Sequence, residues 1–109
     1  MKLYVKNTCT TCRRAKSFLH GRDVNFEEVD LAKGLTPAEL DALIGERDYK
    51  LFLNFRNELY RERKMKQNPP TRKEALELMS KNPNLIRRPI LVKGSKILLG
   101  FDEDEFAKV

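Results

Sequence analysis

Leu3-Tyr4-Val5-Lys6-Asn7-Thr8-Cys9-Thr10-Thr11-Cys12-Arg13-Arg14-Ala15 joins a short apolar run to two closely spaced thiols. Leu3-Tyr4-Val5 reads as a buried strand and Asn7-Thr8 as the turn that leaves it. Ala15, Phe18 and Leu19 then recur at helical spacing through a segment ending at His20-Gly21. His20 fits the last turn of that helix, and Gly21 fits the left-handed position just past it. Val24-Asn25-Phe26 alternates apolar with polar, and Val29 continues a second strand. Strand, helix and strand in this order form a βαβ unit, whose strands run parallel.

Working outward, the middle of the chain is helical. Thr36-Pro37-Ala38-Glu39 is a capping box with proline at the first helical position, and Leu35 is placed to staple onto Leu40. Leu40, Leu43 and Ile44 supply the buried face. Phe52, Phe55 and Leu59 mark a less regular helical piece between Tyr49 and Tyr60. Asn68-Pro69-Pro70 excludes helix. Thr71-Arg72-Lys73-Glu74 opens the next helix, which carries Ala75, Leu76 and Met79 and stops at Asn82-Pro83. Pro89-Ile90-Leu91-Val92 and Ile97-Leu98-Leu99, joined through Lys93-Gly94-Ser95, read as a hairpin. Asp102 caps a last short helix, with Phe101 stapling onto Phe106.

The 109 residues carry 22 Lys+Arg against 16 Asp+Glu, a net charge of +6 that favours anionic partners. The densest basic stretch, Arg61-Glu62-Arg63-Lys64-Met65-Lys66, is broken by acid and lacks aromatic RNA-binding signatures, so it reads as a charged surface loop. Direct nucleic-acid binding is thereby disfavoured. No apolar run reaches the roughly 20 residues of a membrane span. The amino-terminal stretch lacks a secretory pattern, so a cytoplasmic location is expected.

Only two cysteines are present, Cys9 and Cys12. The loop they would close is too short to remove much unfolded-state entropy, so they are no structural staple. Without a second pair, and with His20 as the one histidine, they do not make a tetrahedral metal site either. Redox or nucleophilic chemistry remains. Cys-x-x-Cys at the first strand-to-helix turn, in the order βαβ, helices, ββα, is the thioredoxin-fold arrangement. The expectation is an α/β domain over residues 1–109. Its mixed four-stranded sheet has the first strand between the second and the Ile90 strand, with a helical insertion over about 36–81.

In three motifs the chain resembles the arsenate reductase-like (ArsC/Spx) family, which includes the Spx-type transcription regulators. Asn7 to Ala15 is similar to the family's active-site loop, and Asn82-Pro83-Asn84-Leu85-Ile86-Arg87-Arg88-Pro89-Ile90 to its second signature. Leu99-Gly100-Phe101-Asp102-Glu103-Asp104 resembles the ending of the Spx-like and glutaredoxin-like branches. The resemblance implies that Cys9 is the nucleophile and that Arg88 and Arg56 bind an anion, with a cis bond before Pro89. A guanidinium suits such a ligand through bidentate pairing. The helix mouth favours a thiolate at Cys9, Arg13 adds positive charge one turn on, and Cys12 is placed to resolve a mixed disulfide. The third arginine of the true arsenate reductases falls on Gly100, which argues against arsenate as the natural substrate.

Two functions follow from these residues. One is a thiol-dependent oxidoreductase in which Cys9 attacks an oxyanion or disulfide and Cys12 or glutathione resolves it. No bound cofactor is expected, and glutathione, thioredoxin or glutaredoxin would donate electrons. The other is an Spx-like redox-sensing regulator that docks on RNA polymerase. Gly45 is displaced from the place where such regulators carry a glycine, and the reductase reading is preferred.

Overall fold

The computed structural model describes residues 1–6 and 9–108. It divides into two compact units, Met1–Leu31 with Arg88–Val109, and Ala32–Arg87.

In the first unit, β1 (Lys2–Val5), β2 (Glu27–Asp30), β3 (Ile90–Lys93) and β4 (Lys96–Leu99) form one sheet in the order β2-β1-β3-β4. β1 runs parallel to β2, with Lys2 opposite Glu27, and antiparallel to β3, with Leu3 opposite Leu91. The mixed four-stranded sheet expected from the sequence is therefore present. Side chains alternate across a strand, so Leu3 and Val5 share one face. There they meet Cys12, Ala15 and Leu19 of α1 (Thr10–Gly21) and Phe106 of α5 (Glu103–Ala107), all buried. Asp102 caps α5 by accepting from the N–H groups of Asp104 and Glu105. Phe101 meets Phe106 edge to face at 5.0 Å, which is the expected staple.

Two local expectations are corrected. Gly21 lies inside α1, and the left-handed residue after the helix is Asp23, with φ 59°. Aspartate tolerates that conformation better than most residues, so no glycine is required. Val24-Asn25-Phe26 precedes β2, because pairing with β1 begins at Glu27. Its apolar residues instead pack against the core, and the Phe26 ring meets His20 at a tilt, 5.2 Å between centres. The Asn7-Thr8 turn lies outside the described residues. The hairpin has Gly94 at the first position of a two-residue loop, with φ 59°, where a positive φ suits glycine.

The second unit holds α2 (Pro37–Ile44), α3 (Glu58–Glu62) and α4 (Arg72–Lys81), with single 3-10 turns at Tyr49–Phe52 and Pro83–Leu85. Thr36 and Glu39 form the reciprocal capping box, and Thr71 caps α4 by accepting from the Glu74 N–H. α4 packs against α2 and both 3-10 turns. Leu40, Ile44, Phe52, Ala75, Leu76, Met79 and Leu85 are buried in this unit. The piece between Tyr49 and Tyr60 splits into a 3-10 turn, an extended residue and the start of α3. Leu53 bridges Ile86, while the Asn54 N–H donates to Leu85 O and the Arg87 N–H to Phe52 O. Those backbone bonds claim residues that helical periodicity alone would have kept in a helix. In the basic stretch Met65 is buried and Arg61 to Lys64 and Lys66 are exposed.

Candidate active site

Cys9 is the N-cap residue of α1, with extended backbone angles (φ −88°, ψ 120°). An N-cap side chain faces the unpaired N–H groups of the first turn, where a negative charge is favoured. No acidic residue stands in that turn to compete. Cys12 occupies the first turn, fully buried, and both cysteines are free thiols.

Their environments drive the two thiols apart. Burial raises the Cys9 thiol, but four opposing contributions outweigh it. The Cys12 backbone N–H and thiol donate to Cys9, and the Arg88 guanidinium adds both a hydrogen bond and its charge; the result is a lowered pKa. Cys12 is pushed up to about 12, first by burial and then by the Cys9 sulfur. A hydrogen bond from the Lys6 N–H to Cys12 Sγ at 3.5 Å and the more distant Arg88 charge only partly offset this. Such divergence separates a nucleophile from a reserve thiol.

The asymmetry has a direct readout. Limiting iodoacetamide at about pH 6.5 is expected to label Cys9 first, because only thiolate reacts and Cys12 stays protonated there. Peptide mapping checks the order, and prior labelling of Cys12 would reverse the assigned roles.

Arg88 and Pro89 reach the site from the segment entering β3, and their peptide bond is cis. Pro89 is buried, and its carbonyl accepts from the Gly100 N–H at 2.8 Å. The structure therefore gathers Cys9, Cys12, Arg88 and Pro89 in one unit. Arg13 is exposed on α1, where it lines a groove with Arg14; the guanidinium acting on Cys9 is that of Arg88. Arg56 belongs to the second unit, and its guanidinium lies 5.7 Å from the centre of the Phe55 ring. Sequence reasoning passed over Arg14 and Glu103, which share the groove with Arg13. The 3.6-residue period places Thr10, Arg13, Arg14 and Ser17 on one exposed face and was the available signal for Arg14.

Gly100 has φ 78°. A side chain there is strained by about 1–2 kcal/mol. Gly100→Arg is therefore expected to lower the melting temperature, by roughly 5 °C or more for a domain of this size. A thermal melt beside an arsenate-reduction assay checks it. Retained stability together with faster arsenate turnover would show that the missing arginine alone limits that reaction.

This site on this fold is that of a thioredoxin-like redox protein. The chain belongs to the ArsC family, whose model matches residues 4–109. It is 37% identical over 105 residues to YusI of Bacillus subtilis, covering 90% of this chain and 87% of that protein. It is 29% identical over 111 residues to the global transcriptional regulator Spx of Enterococcus faecalis, covering 99% of this chain and 84% of Spx. Among solved structures, SACOL0876 of Staphylococcus aureus superposes with a TM-score of 0.82 at 33% identity, covering 98% of this chain and 95% of that one. Among the described residues no helix is long and apolar enough to cross a membrane.

Proposed function

We propose that the protein is a cytoplasmic thiol–disulfide oxidoreductase with Cys9 as its nucleophile. The observation that carries this reading is the opposed tuning of the pair: the Cys9 thiol is lowered and the buried Cys12 thiol raised to about 12. Thiolate at Cys9 attacks one sulfur of a disulfide RSSR. The Cys9–sulfur bond forms, the substrate S–S bond breaks, and RS⁻ leaves and takes a proton from water. Cys12, once deprotonated, then attacks Cys9 Sγ and expels the second RS⁻. The substrate gains two electrons, and the protein keeps them missing as a Cys9–Cys12 disulfide. Two equivalents of glutathione, or one reduced thioredoxin or glutaredoxin, restore both thiols and are themselves oxidised. Alternatively, glutathione attacks the mixed disulfide directly.

Arg88 stabilises the attacking thiolate, and its planar fork suits an anionic group on the substrate. Arg13 is proposed as a further anion contact. The test is turnover: reduced protein with hydroxyethyl disulfide and a glutathione recycling system should consume reductant catalytically. Stoichiometric oxidation without turnover would overturn the enzymatic reading.

A second reading has its own support in the likeness to Spx across nearly the whole chain. There the same disulfide is a switch, and the protein docks on RNA polymerase. Polymerase retained by the reduced form and released by the oxidised form, or the reverse, together with absence of turnover, would favour the regulator.

A further inference from the structure

The basic stretch that reads in the sequence as a charged surface loop has a definite shape in the second unit. α3 ends at Glu62, with Arg63 as its C-cap. The Lys64 N–H donates to Arg61 O at 3.1 Å, and the Met65 N–H to Tyr60 O at 3.0 Å. This pair of bonds is the Schellman motif, in which the residue after the C-cap is left-handed and usually glycine. Here that residue is Lys64, with φ 51°. A side chain held at this angle costs stability where glycine does not, and such strain is kept where the side chain has a task. Met65 is buried and anchors the loop, while Lys64 and Lys66 on either side of it are exposed.

Arg61, Lys64 and Lys66 line one cavity of about 510 Å³ together with Phe55, Tyr60 and Gln67, all within the second unit. Its volume falls in the small-ligand range of roughly 300–1,000 Å³. Phe55 is 57% exposed there. The Arg56 guanidinium rests over its ring without joining the lining. Among the described residues, none of Arg61, Lys64 and Lys66 enters an ion pair. The lining holds no carboxylate, and Glu62, the acid within the basic stretch, stands outside it. The helix-end carbonyls of Tyr60 and Arg61 would repel an anion, but both accept from the loop's own N–H groups.

The cavity's chemistry selects a ligand. Three cations exceed the need of a single carboxylate and match a group carrying several phosphate charges. Two aromatic rings offer a stacking surface that any nucleobase can use. A neutral apolar ligand would leave the cations unmatched, and bare phosphate would leave the rings unused. We infer that this cavity binds a nucleoside di- or triphosphate, its base against Phe55 and Tyr60 and its phosphates on Arg61, Lys64 and Lys66. The inference is independent of the thiol–disulfide reading, whose cysteines lie in the first unit.

Titration calorimetry of the full chain with ATP, adenosine, inorganic tripolyphosphate and a short single-stranded oligothymidylate tests it. ATP is expected to bind about tenfold or more tightly than tripolyphosphate, the contribution of one stacked base. Adenosine, without phosphates, should bind more weakly than ATP by at least as much. Phe55→Ala should remove most of the advantage of ATP over tripolyphosphate. Lys64→Gly should weaken ATP binding about tenfold, the size of one charge-assisted hydrogen bond. Its melting temperature should hold or rise, because glycine adopts φ 51° without strain. A lysine serving the fold alone would leave the affinity unmoved. Arg63→Gln, in the same stretch but outside the cavity, should keep the affinity. Equal affinity for ATP and tripolyphosphate, ATP affinity unmoved in Lys64→Gly and Phe55→Ala, or binding of the oligonucleotide without ATP overturns the inference.

Discussion

Serine in place of Cys9 is expected to abolish mixed-disulfide formation at neutral pH, a loss of at least about a thousandfold, because a hydroxyl without an activating base is almost never ionised there. Mass spectrometry after exposure to glutathione disulfide checks it, and an adduct retained at Cys12 would contradict the assignment. Serine at Cys12 should have a different effect. Attack by Cys9 remains, but the product stalls as a stable mixed disulfide that only external thiol resolves. With its thiol raised to about 12, Cys12 is expected to resolve slowly at neutral pH in the unmodified protein. Once Cys9 is capped, its sulfur no longer carries the charge that helps hold Cys12 protonated, whereas burial persists. Internal closure should therefore accelerate with pH, by about tenfold per unit while Cys12 is mostly protonated. The first step has the same sign but a lower midpoint. Its pH midpoint lies below the ordinary thiol range, and rate is lost only as pH falls through the lowered Cys9 pKa.

Much of this arrangement was legible in the chain because local chemistry and tertiary structure agree. Thr36-Pro37-Ala38-Glu39 forms the reciprocal box its spacing requires, and Gly94 sits where a two-residue hairpin needs a positive φ. Agreement broke where pairing overruled pattern. Val24-Asn25-Phe26 alternates like a strand, yet the register with β1 starts at Glu27 and leaves those residues to pack against the core. The piece after Tyr49 has helical periodicity, but the hydrogen bonds of Phe52 and Asn54 to Arg87 and Leu85 pull it extended. In the site, Cys9 and its helix mouth could be read from adjacent residues. The charge acting on Cys9 could not be read from its neighbours: Arg13 was the near one in sequence, whereas the guanidinium contact comes from Arg88, which the family resemblance alone had assigned to the site. Glu103 was equally hidden, since its meaning depends on facing α1 across a groove rather than on its own neighbours.

Arg88 also sets the scale of the second large effect. Its guanidinium lowers the Cys9 thiol both by hydrogen bonding and by charge, so Arg88→Ala removes two of the contacts that oppose burial. The Cys9 pKa should rise, and each unit of rise leaves about tenfold less thiolate at neutral pH. Alkylation and disulfide attack should fall in the same proportion when measured below the midpoint. Arg88→Lys separates the two contributions. An ammonium keeps the charge but not the planar fork, so lysine should recover part of the lowered pKa while still binding anions poorly. Sulfate titration calorimetry reads the second property, and thiolate ultraviolet absorbance across pH reads the first. Arg87→Lys is the matched control, because Arg87 holds Phe52 through its backbone N–H, which lysine retains. An unmoved Cys9 midpoint in Arg88→Ala, with folding intact, would remove Arg88 from the chemistry. The thiolate would then depend on the helix mouth and the Cys12 contacts alone.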